Sequence, residues 1–129
     1  MPDDASAFDP EIHDQIREVG GEELLHELFA TFVALAPERL RALEGAMASG
    51  DLAGVAHAAH SIRSSSASVG ARPLATLAGE VEEAAQQGRL ERLAESSSEL
   101  DAAYDAVVRL LSKRLGGGGA GSPGGARKL

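Results

Sequence analysis

The chain has 129 residues, enough for one domain with one core. Its 20 acidic and 12 basic residues give a formal net charge of −8, which argues against nucleic acid or an anionic membrane as the main partner. With no cysteine, disulfides, thiolate metal sites and thiol nucleophiles are excluded. No apolar run approaches the roughly 18 residues of a membrane span, and MPDDASAF lacks a basic-then-apolar leader pattern, so no membrane partner and a cytoplasmic location are expected. Aromatic residues make up only 3% of the chain, which favours a small-residue helical core over a β-sandwich.

Residues 1–8 are expected to fray. Asp9-Pro10-Glu11 is a good helix start: Asp9 caps, Pro10 suits the first turn, and Glu11 suits the positive helix end. Phe8, Ile12 and Ile16 recur on one face of a short N-terminal capping helix that Gly20-Gly21 ends. That face is either a lid over one end of the core or a docking surface. Leu24, Leu25, Leu28, Phe29, Phe32 and Val33 form an apolar stripe on the next helix. Pro37 either kinks this helix or starts another, and Leu40, Leu43, Ala46 and Met47 continue the period. Ser49-Gly50-Asp51 reads as a helix–turn–helix corner.

A central helix then runs from Asp51 to about Val69, and Gly70 stops it. Leu74, Leu77, Ala78, Val81 and Ala85 mark a helix that Pro73 opens and Gly88 closes. The last helix begins near Leu90, with Leu93, Leu100, Tyr104, Val107, Val108, Leu111 and Leu115 in period; Ser96-Ser97-Ser98 is a place for a break or fraying. Residues 116–129 read as a flexible Gly-rich tail. Short corners between amphipathic helices, with no strand-like alternation, imply an all-α protein: an antiparallel up-down four-helix bundle over residues 9–115.

The central helix has unusual faces. At about 100° per residue, Ala53, Ala56, His57, Arg63, Ser64 and Ala67 fall within about 60° of His60. Val55, Ile62 and Val69 lie opposite, flanked by Ala58, Ala59, Ser65 and Ser66. A merely solvated face would carry long Glu and Lys; this one carries short side chains that allow close approach to an imidazole.

The chain shows no glycine-rich phosphate loop, nucleotide fingerprint or Ser/His/Asp elbow. His57 and His60 are spaced to share a metal, yet no Glu or Asp stands at the Glu-x-x-His offset of bundle metal sites. His13 and His26 lie on other helices. The second reading is nucleophilic: neutral imidazole is competent near neutral pH, and Arg63, one turn on, can present a guanidinium to phosphoryl oxygens. Ser64 leaves room and can donate a hydrogen bond. Without a nucleotide site, donor and acceptor would both be other proteins. The plain alternative is an exposed histidine beside a solvated arginine.

These residues match a family. AHSIRSSSASVGA resembles the AHxLKGSSxxxGA signature of histidine phosphotransfer (HPt) domains. Ala59-His60 matches the phosphoacceptor position, Ile62 the aliphatic, Arg63 the basic residue, Ser65-Ser66 the small polar pair, and Gly70-Ala71 the closing pair. Phe32 with Pro37-x-x-Leu40-x-x-Leu43, the Gly50-Asp51 corner, and Leu74-x-x-Leu77-Ala78 with Glu82 and Gly88 extend the resemblance over roughly residues 22–88. It implies a four-helix bundle with an exposed histidine. It also implies a phosphoryl carrier, not an enzyme with its own ATP site, exchanging phosphate with response-regulator receiver domains and a hybrid histidine kinase. The expected carrier is a monomer with no cofactor or metal of its own, Mg²⁺ belonging to the receiver. His60 would be the phosphoacceptor and Arg63 would stabilise charge. Ser64 would keep the approach open, with Ala53, Ala56, His57, Ala67, Ile12 and Ile16 expected around the docking patch. Arg63 stands where lysine is usual and Ser64 where glycine is usual. A non-phosphorylated adaptor of the same fold is the alternative.

Overall fold

Residues 7–116 are described by a computed structural model. Four helices follow one another: α1, Pro10–Ser49; α2, Leu52–Ser68; α3, Arg72–Gln87; and α4, Leu90–Gly116. The connections are too short to cross the bundle, so successive helices run antiparallel. Helix α2 packs on α1 and α3, and α4 closes the ring by packing on α3 and α1. This is the expected all-α up-down bundle. No helix among the described residues is long and apolar enough to cross a membrane.

The corners follow from local chemistry. Gly50 caps α1 in the left-handed conformation, and the Asp51 carboxylate accepts a hydrogen bond from the Gly54 N–H at 3.0 Å to start α2. A side chain at Gly54 would collide with that carboxylate. Gly88 caps α3 in the same left-handed way. The buried core draws on all four helices: Leu25, Phe29, Phe32 and Leu43 from α1; Val55 and Ile62 from α2; Leu74 and Val81 from α3; Leu100, Tyr104 and Leu111 from α4. Each such apolar side chain contributes roughly 1.5–3 kcal/mol on full burial.

One expectation is met and two are modified. Gly20-Gly21 does end the first helical segment: Gly21 is non-helical (φ 73°, ψ −170°), so Pro10–Ser49 is two helices that meet at a kink there, and the capping helix is the first of them. Pro37 does not start a new helix. It is exposed within α1, while Phe32 and Ala36 before it and Leu43 after it hold the same core face, so packing carries the lost backbone bond. Ser96-Ser97-Ser98 does not break α4 either. Ser96 is buried, and its hydroxyl donates to the Arg92 carbonyl at 2.9 Å, as Ser97 donates to Ala94 at 3.2 Å. The hydroxyls thus bond back to the helix instead of competing with it.

The fraying expected over residues 1–8 and the tail expected over 116–129 lie outside the described residues, except at 7, 8 and 116. At that edge Ala7 and Phe8 are buried and Gly116 ends α4. Phe8 stacks on Phe29 at 6.4 Å, and Arg114 lies over the Phe29 ring at 4.9 Å. His13, also buried, donates from Nε2 to the Val69 carbonyl at 2.9 Å.

Those contacts explain Gly70. The Asp9 N–H donates to its carbonyl at 2.8 Å, and Arg72 bridges back to Asp9 at 3.1 Å. Gly70 has φ 76°, and a Cβ there would stand 3.2 Å from the Ile12 Cβ and 3.3 Å from both the Asp9 carbonyl and the His13 ring. Both backbone geometry and space require glycine. Gly70→Ala is therefore expected to lower unfolding free energy by about 2 kcal/mol or more. Ser66 provides the contrast: it is fully buried and its hydroxyl has no hydrogen-bond partner among the described residues. Ser66→Ala should stay within about 1 kcal/mol of wild type or stabilise, since an unmet buried hydroxyl contributes nothing favourable. Chemical denaturation of both variants tests the pair; the opposite ranking would contradict it.

Candidate functional site

Helix α2 has the two faces that its period predicts. Val55, Ala58, Ala59, Ile62 and Ser66 are buried, while Ala53, His57, His60, Arg63, Ser64 and Ala67 are exposed. Ala56 departs from the expectation: it is half-buried against the core. The His60 side chain is 54% exposed, so the imidazole is reachable without movement of the bundle.

Helix α3 supplies what surrounds it. The Glu82 carboxylate, only 16% exposed, lies beside α2 and holds two of its side chains. Its Oε2 is 3.2 Å from His60 Nδ1, and its Oε1 accepts from Arg63 Nε at 3.1 Å. Arg63 Nη2 is also 3.0 Å from His60 Nδ1. Gly79, one turn before Glu82, makes this possible, because a Cβ there would stand 3.3 Å from Arg63 Cδ. Arg63 therefore lies across α3 and does not project freely into solvent.

These contacts compete for one nitrogen. A guanidinium only donates, so Arg63 meets Nδ1 only when Nδ1 carries its lone pair. A carboxylate only accepts, so Glu82 meets it only when Nδ1 carries the proton. Arg63 keeps its bond to Oε1 in either case and is exposed enough for Nη2 to turn to water. The sheltered Glu82 oxygen has less access to water and gains more from a second donor. The balance favours Nδ1–H donating to Glu82, which leaves the lone pair on Nε2. Nε2 makes no hydrogen bond among the described residues.

On the other side of His60 lies a groove of about 490 Å³ between α1 and α2. Its α2 wall is His60, Ser61, Ser64, Ser65, Ser68 and Val69; its α1 wall includes Leu28, Phe32, Leu35 and Arg39. Ser64 thus borders both the histidine and the groove. Ala53, Ala56, His57 and Ala67 do not line it. Ile12 and Ile16 are half-buried and are not brought to the histidine. Ile16 packs on the core, and Ile12 packs over Gly70, ten residues beyond His60 or about 15 Å along a helix. Among the described residues, no three His, Asp or Glu side chains are disposed to hold a metal.

Sequence reasoning does not reach Glu82 or Arg39 as site residues. Glu82 is 22 positions from His60 and meets it only through the register of α2 on α3. The available signal is Gly79 and Glu82 sharing one face of α3, a gap beside an acid.

The site is thus an exposed histidine on a bundle helix, with Nδ1 beside Glu82 and Nε2 facing outward from these contacts. The Hpt domain family matches residues 27–110, and the chain belongs to that family, whose members are phosphocarriers of two-component signalling. Its structure is similar to histidine-containing phosphotransfer protein B of Pseudomonas aeruginosa PAO1. The two share 32% sequence identity at a TM-score of 0.79, covering 86% of this chain and 96% of that one. No protein of curated function matches the chain.

Glu82→Gln is expected to raise the neutral Nε2–H form of His60 at the expense of Nδ1–H, because the amide no longer offers a charged acceptor. Two-bond ¹H–¹⁵N correlation spectra read the tautomer directly. An unchanged ratio would contradict the assignment of Nδ1–H to Glu82.

Proposed function

We propose that this protein relays phosphoryl groups between receiver aspartates, with His60 as the phosphoacceptor. The observation that carries this reading is the open Nε2 of His60, on a ring whose Nδ1 lies 3.2 Å from the Glu82 carboxylate.

The chemistry follows from that arrangement. The Nε2 lone pair attacks the phosphorus of a receiver's aspartyl phosphate in line with the leaving oxygen. The Nε2–P bond forms as the P–O bond to the aspartate breaks, and the electron pair leaves on the carboxylate. The ring gains positive charge while Nδ1 keeps its proton. Glu82, beside that proton, stabilises the charge that develops and holds the ring orientation. Transfer onward reverses these steps with a second receiver's aspartate as nucleophile.

Arg63 has two tasks on this reading. Its Nε bond to Glu82 fixes the carboxylate, and its terminal nitrogens, half exposed, turn toward the phosphoryl oxygens as they arrive. Ser64 adds only one hydroxymethyl to the clearing and can donate to the same oxygens. The receiver docks over the α1–α2 groove, which borders His60 and offers apolar contact from Leu28, Phe32 and Leu35. The chain acts as a carrier: phosphate comes from a kinase through a receiver, not from ATP bound here.

Incubation with a phosphorylated receiver should place acid-labile, base-stable label on the chain, and His60→Gln should abolish it. Glu82→Gln should slow uptake on the order of tenfold or more, because the charge that develops on the ring loses its carboxylate neighbour. Label persisting in His60→Gln would overturn the site; a receiver that binds while no label ever appears would favour the adaptor reading.

A further inference from the structure

Two arginines border the histidine, and they are held differently. Arg63 is neutralised by Glu82. Arg39, on the α1 wall of the groove, pairs with no carboxylate among the described residues. Because α1 and α2 run antiparallel from the Gly50–Asp51 corner, Arg39 and His60 lie at nearly the same distance from it. Arg39 therefore stands about level with the turn that carries the site.

Beneath the groove Arg39 neighbours a buried phenol. Tyr104 on α4 is fully buried, with its ring 5.4 Å from that of Phe32, another groove residue. Burial pushes the Tyr104 phenol up, and the neighbouring Arg39 guanidinium opposes that push. Among the described residues the hydroxyl makes no hydrogen bond. A neutral phenol does not compensate a guanidinium's charge. The result is a half-buried cation with no carboxylate partner among the described residues, in a groove whose α1 wall is largely apolar and whose α2 wall is rich in serine, on a chain whose net charge is −8.

A partner that covers this groove strips water from Arg39. If it brings no acid, it buries an unpaired charge; if it brings a carboxylate, the cost is offset by a fork-shaped, charge-assisted contact. We propose that Arg39 is a specificity-determining residue, pairing with a carboxylate that the receiver lays into the α1–α2 groove beside His60. The proposal rests on the phosphotransfer reading and adds the feature by which one receiver is chosen over another. Receivers with a neutral or basic side chain at that place are rejected by desolvation, not by steric clash.

The test compares two phosphodonors. One is a phosphorylated receiver, chosen from a panel as the fastest donor to the wild-type chain. The other is phosphoramidate, which has no protein surface. Arg39→Gln should raise the receiver's KM about tenfold or more with kcat within about twofold, and should flatten its salt dependence. Arg39→Lys should recover part of the loss. Phosphoramidate labelling of His60 should be unchanged in both variants, which also shows that the site remains intact. An unchanged receiver KM in Arg39→Gln would overturn the proposal. So would a fall in kcat with slower phosphoramidate labelling, which would place Arg39 on the phosphoryl group. A wild-type chain that takes no label from either donor would overturn the phosphotransfer reading itself.

Discussion

Helix α2 is clasped between α1 and α3, and the contact with α3 sets the chemistry of its exposed ridge. The buried side of α2 is small: Val55, Ala58, Ala59, Ile62 and Ser66 allow its neighbours to come close. The facing side of α3 is small as well, with Ala78 and Gly79 next to each other. Because the backbones approach, the short Glu82 side chain spans the gap and reaches both His60 and Arg63. A Cβ at Gly79 would stand 3.3 Å from the Arg63 Cδ, so a side chain there would press on the arginine that lies across α3.

This packing divides the labour around one imidazole. The α3 side sets the Glu82 carboxylate beside Nδ1. The α1 side provides the largely apolar wall of the groove, with Arg39, which has no carboxylate partner among the described residues. The ridge between them is kept low by Ser61, Ser64 and Ser68, so a partner can rest on α1 and still reach Nε2. At the far end, the His13–Val69 and Asp9–Gly70 bonds tie the first segment of α1 to the end of α2. They fix the helix that carries the site, although they lie well away from it.

Much of this was readable from the residues in order. Local signals placed the corners, because Gly50, Asp51, Gly70 and Gly88 act within one or two peptide units. The faces of α2 followed from its period, apart from the half-buried Ala56. The break at Gly20-Gly21 is legible too, because a left-handed φ is a local property of Gly21; Pro37 and the Ser96–Ser98 run interrupt no helix, because tertiary packing outweighs them. In each, flanking residues hold a common core face that costs less to keep than to break. What could not be read was register between helices. Glu82 and Arg39 belong to the surroundings of His60 only because α3 and α1 slide to particular heights against α2. Ile12 and Ile16, whose spacing reads as either a lid or a docking surface, are half-buried, with Ile16 packed on the core and Ile12 over Gly70.

The central claim is that His60 is poised for phosphoryl transfer through Nε2, with Nδ1–H held by Glu82. The most direct measurement is heteronuclear NMR of the ¹⁵N-histidine-labelled chain after treatment with phosphoramidate. The account predicts one phosphohistidine, at His60, with phosphorus coupled to Nε2 and a proton retained on Nδ1. Phosphorus on Nδ1, or on another histidine while His60 stays unmodified, would contradict it.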